Sequence, residues 1–156
     1  MIMCLCRKEG ENLRIAEEDI TVYKIIEKKP AFYITDEHDQ LQLSYHYVTP
    51  FMLEEVSIDL ETVIEPDFPM SRAEAESLIQ GGYRSFGAGF IHAYVNRKCL
   101  TRVCFILYRA GLMPMHSLIE VECVIPKGEF YILGEKGDVA ASKLIVKKIV
   151  DNSQEK

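Results

Sequence analysis

Glu120 and Glu122 stand one residue apart in Ser117 to Gly134, SLIEVECVIPKGEFYILG. In an extended chain side chains alternate, so both carboxylates project from one face together with Leu118 and Val124. Ile119, Val121, Cys123 and Ile125 take the other face. It is the one place in a predicted strand where two carboxylates could act as a catalytic pair. The alternative is a strand face that simply meets water. Pro126 has no N–H for a ladder and Gly128 tolerates positive φ, so Pro126-Lys127-Gly128 reads as a tight turn into a second strand.

Other chemistry-bearing residues are more scattered. Lys24 interrupts the apolar face Ile20–Val22–Ile26, and either snorkels past the sheet end or lines a pocket. Cys4 and Cys6 form a C-x-C pair, but no second Cys/His pair follows at zinc-ligand spacing; His38 and His46 are too distant. His46 reads as a solvated histidine, and no metal site is expected. Cys99, Cys104 and Cys123 fall in apolar strands, where a thiol is usually inert. There is no Walker A loop, and Gly81, Gly82, Gly87 and Gly89 do not fit a dinucleotide fingerprint.

The elements that must position these residues follow from periodicity. Ile20–Ile26 is a strand apolar on both faces, hence interior. A weaker strand over 31–35 and a cleanly alternating one over 41–48 form a hairpin around DEHDQ. Residues 49–69 are the most acidic stretch, yet hold too many apolar residues for a linker, and 54–67 within them is a candidate contact surface. Ser71-Arg72-Ala73-Glu74 fits a capping box opening a helix that Gly81 and Gly82 stop. A short strand is expected over 83–86, and a second helix over 87–98, with His92 and Tyr94 on different faces. Residues 99–108 read as a central strand and 143–150 as the last. Between them, Leu112-Met113-Pro114-Met115 either covers the core or forms an interaction surface through Leu112, Met113 and Met115. The sum is an α+β fold: a mostly antiparallel sheet of about seven or eight strands, with two short helices inserted mid-chain. Residues 1–150 are expected to form a single domain and 151–156 a frayed tail.

Composition narrows the function. The chain has 156 residues and a net charge of −6, with no long Lys/Arg cluster, which argues against nucleic-acid binding through phosphate neutralisation. No apolar run is long enough to span a bilayer, and the start MIMCLCRKEG has its charges on the wrong side for a signal peptide. Five cysteines make no disulfide framework, so a cytoplasmic protein with reduced thiols is expected.

Two resemblances add to this. Val22-Tyr23-Lys24, Gly82-Tyr83-Arg84-Ser85-Phe86, Ile125 to Gly128 and Ala141-Ser142-Lys143-Leu144-Ile145 together resemble a loose group of short bacterial and phage-encoded proteins. The resemblance implies a fold and a phage- or mobile-element setting, and no activity; Arg84 stands where the group has His. Glu120-Val121-Glu122 is similar to the Glu-x-Glu strand of ADP-ribosyltransferases. That likeness implies an NAD cofactor, Glu122 as the catalytic carboxylate stabilising an oxocarbenium-like transition state, and Glu120 on the acceptor side. Lys24, Tyr83 and Ser85 would then bind ligand in the same cleft. The family's Ser-Thr-Ser strand is absent, and lysine lacks arginine's bidentate fork. The leading expectation is therefore a small binding module for a protein partner or small molecule, without a cofactor. An NAD-binding transferase-like protein is the alternative.

Overall fold

The computed structural model describes residues 5–35, 37–38, 41–48, 57–98 and 118–150, with backbone alone over 29–35 and 41–48. The elements in order are β1 (Leu5–Cys6), β2 (Arg14–Ile15), β3 (Ile20–Thr35), β4 (Leu41–Val48), β5 (Val63–Ile64), α1 (Arg72–Gln80), β6 (Ser85–Phe86), β7 (Ile91–Tyr94), β8 (Leu118–Ile125), β9 (Phe130–Leu133), β10 (Asp138–Ala141) and β11 (Leu144–Ile149).

A nine-stranded sheet runs β2-β9-β10-β7-β3-β8-β11-β5, with β4 paired to β3 off that path. All its pairs are antiparallel. The fold is thus mainly β, and α1 is the one helix lying wholly within the described residues. β3 is its spine. Its first half pairs with β8 from Ile20↔Ile125 to Glu27↔Leu118, and its second half pairs with β4, so the two strands predicted over 20–35 are one. The hairpin with 41–48 forms as the alternation foretold.

One face of the sheet gathers a single core from nearly every strand. Val22 and Ile26, Val121, Cys123 and Ile125, Ile91 and Ala93, Val139 and Ala141, and Leu144 and Val146 all meet there. On the opposite face α1 presses Ala75 and Ile79 against Leu5, Phe86, Phe90, Ile132 and Ala140, forming a smaller core. Ser71 caps the helix, its hydroxyl accepting from the Glu74 N–H at 3.1 Å, and the backbone of Gly81 closes it.

The helix expected over 87–98 is a strand over Ile91–Tyr94 instead. Ile91 and Ala93 alternate into the larger core, and Gly89 at φ 93° interrupts any helix before it. His92 and Tyr94 consequently share a face rather than lying on different ones. β10 is an added strand that its short, alanine-rich sequence did not announce. The predicted strand over 99–108, the loop with Leu112, Met113 and Met115, and the tail lie outside the described residues. No helix among the described residues is long and apolar enough to cross a membrane.

Candidate functional site

The residues singled out by sequence do not converge. Cross-strand pairing sets Tyr23 opposite Glu122 and Lys24 opposite Val121, so Lys24 and Glu122 point to opposite faces of the sheet. Lys24 does not snorkel. It is only 5% exposed, on the side of the larger core, and its ammonium donates to the His92 carbonyl at 2.7 Å. Ser85 is exposed in β6, which pairs with β1 in a separate two-stranded sheet. Tyr83 is half exposed and begins an edge-to-face run of rings through Phe86, Phe90 and Phe130 over the smaller core. The cleft that a transferase needs from Lys24, Tyr83 or Ser85, and Glu122 is not formed.

The two glutamates are themselves unlike. Glu120 is clamped by Arg97, whose Nε and Nη2 each reach a carboxylate oxygen at 3.0 Å. Arg97 follows the end of β7 and so ties that segment to β8, and the Glu120 side chain is left 9% exposed. A bidentate clamp of this kind fixes a carboxylate in place. Glu122 is half-buried, and its side chain makes no hydrogen bond or ion pair among the described residues. It stands in a row across five strands, Asp138–Tyr94–Tyr23–Glu122–Lys148. Behind that row, burial pushes the His92 imidazole below its ordinary value. The nearby Lys24 charge adds to this, and the bond to the Gly87 carbonyl at 2.9 Å opposes it. Burial also pushes the Cys123 thiol up to about 12, so it is inert as a nucleophile.

A concave site lies elsewhere, at the β2 edge of the sheet. A cavity of about 510 Å³ is lined by Arg14, Ile15, Glu17, Glu18, Ile20 and Tyr131. Its size is within the range of small-ligand sites. Ile20 and Tyr131 pack on the larger core and give it an apolar floor, and Arg14 stands directly across from Tyr131 in the β2–β9 pairing. The wall over 16–19 is pinned. Ala16 is buried, its N–H donates to the Glu129 carbonyl at 2.9 Å, and its carbonyl accepts from Gly128 at 2.8 Å. The Asp19 carboxylate accepts from the Lys127 N–H at 2.9 Å. The Pro-Lys-Gly turn, with Gly128 at φ 92°, is therefore the buttress of this wall.

Charge in the cavity is uneven. Arg14 is bonded to the Glu11 carboxylate, which holds its guanidinium firmly charged and matched. Glu17 and Glu18 are exposed and form no ion pair among the described residues. Sequence reasoning missed this site because residues 7–19, RKEGENLRIAEED, are mostly charged and show no strand periodicity. The one local signal was the apolar pair Leu13 and Ile15 within them, too short to announce a strand. Comparison with protein-family models, curated proteins and solved structures finds no match to this chain.

Proposed function

We propose that the protein is a binding module and that the cavity at the β2 edge takes a small ligand. The observation that carries the reading is a concavity of about 510 Å³ with an apolar floor and a wall pinned by backbone and carboxylate hydrogen bonds. A wall already held in place spares the ordering cost that a loose loop would impose on binding. An NMR titration with a small fragment set tests it. Saturable shifts should be confined to Ile15, Glu17, Glu18, Ile20 and Tyr131. If no fragment at millimolar concentration moves these signals, the reading fails.

Contact with a protein partner has separate support along the acidic stretch. Phe68 is 89% exposed and Leu60 63%, while the neighbouring Ile64 and Pro66 are buried and anchor the loop. Exposed aromatic side chains on an anchored backbone are typical of interface anchors. The acidic segment favours a basic partner, although Glu61 is engaged by Lys147 at 2.9 Å. Phe68→Ser should leave the fold intact and abolish such an interaction.

A further inference from the structure

We infer that the cavity at the β2 edge selects an organic cation with an apolar body, such as an arylalkylamine. The inference rests on the small-ligand reading of that cavity and deepens it. The floor formed by Ile20 and the Tyr131 ring suits a flat or aliphatic body. The charge around it decides what the other end carries. The Arg14 cation is matched by Glu11, which lies outside the lining. Glu17 and Glu18, within the lining, have no cationic partner among the described residues. The cavity therefore presents unbalanced negative charge beside an apolar surface. An ammonium or guanidinium group supplies the missing charge while its hydrocarbon part covers the floor, and a ring can also lie against Tyr131.

Geometry also excludes the alternatives. An anion would approach two free carboxylates to reach one guanidinium already bonded to Glu11. A wholly apolar ligand would leave Glu17 and Glu18 without compensation as it displaced their water. Asp19, next in sequence, does not add to the binding charge, because its carboxylate is used by the Lys127 N–H. The net charge of −6 favours the approach of cations at low ionic strength.

Three probes with one skeleton test this: 2-phenylethylamine, 2-phenylethanol and 3-phenylpropanoate, titrated into the full chain by NMR at neutral pH. The amine should bind with shifts at Ile15, Ile20 and Tyr131, and about tenfold more tightly than the alcohol, with the carboxylate weakest. The double variant Glu17→Gln/Glu18→Gln should bring the amine down to the alcohol's affinity while keeping the spectrum of the folded protein. If the alcohol or the carboxylate binds as well as the amine, cation selection is wrong and the cavity remains a ligand site. An unchanged amine affinity in the double variant overturns the assignment to these carboxylates. If none of the three probes moves the cavity residues, both the selection and the ligand site fall.

Discussion

Arg7 shows how much a single side chain holds in this protein. It is 7% exposed, and its guanidinium donates to two carbonyls, Tyr83 at 3.0 Å and Glu11 at 2.7 Å. Its own carbonyl accepts from Arg84 at 2.9 Å. Arg7 thereby ties the chain after β1 to the exit of α1 and to the approach to β2. Arg7→Ala should destabilise the fold by about 2–3 kcal/mol, since two carbonyls lose a charged donor, and Arg7→Lys should not restore it because one ammonium lacks the fork. Chemical denaturation of the three proteins checks this. His92 gives a pH dependence of defined sign. Its folded pKa is depressed by burial, whereas in the unfolded chain it titrates near its usual value of about 6.5. The two states bind protons alike well above that value. As pH falls below it, the unfolded chain takes up a proton that the folded one resists, so stability is lost toward acid pH. The melting temperature of the wild type should therefore fall more between neutral and mildly acidic pH than that of His92→Gln. Equal slopes would mean that His92 titrates alike in both states.

At the scale of elements, the strands with clean alternation or unbroken β-branched runs were legible. β8, β4, β11 and the first half of β3 follow from periodicity, and α1 follows from its capping box and glycine stop. β7 was misread because Phe90, Ile91, Tyr94 and Val95 satisfy a helical spacing, and only the neighbouring strands β3 and β10 make extension the better outcome. β10 was missed because Asp138–Ala141 carries little strand propensity and is ordered by pairing on both edges. Of the site, the carboxylate spacing was readable and its partner was not: Arg97 lies 23 residues before Glu120 and meets it only in the folded chain. The cavity was illegible, since its lining comes from two distant segments joined by the β2–β9 pairing. The turn between β9 and β10 makes a separate prediction. A Cβ on Gly134 would lie 2.2 Å from the Asp138 Oδ1 and 2.8 Å from the Leu5 Cγ. Asp138 is buried, so neither neighbour has much room to yield. Gly134→Ala should cost roughly 1–3 kcal/mol in a thermal or urea melt; a neutral result would show that this turn relaxes freely.

At the scale of the whole molecule, the described residues form a sheet with the larger core on one face and α1 closing a second core on the other. This division puts Lys24 inside and Glu122 on the opposite face, and it predicts that NAD⁺ has no preformed cleft between them. A ligand bound only by the folded state at about 100 times its Kd adds roughly 2.7 kcal/mol, an effect that a melting curve registers. Millimolar NAD⁺ should leave the melting temperature where it was. A saturable rise that disappears in Glu122→Gln would restore the transferase reading. The pairing of β3 with β8 has one more consequence, for the order in which the protein is made. β3 leaves the ribosome before β5, α1, β6 and β7, and its partner β8 and the next strand β11 follow only after them. The central ladder must wait until Leu118–Ile125 has been made, and meanwhile an apolar strand stands with its hydrogen-bonding edge open. Nascent chains halted before Leu118 should accordingly depend on chaperones and aggregate without them, whereas chains that include β8 and β11 close that edge themselves.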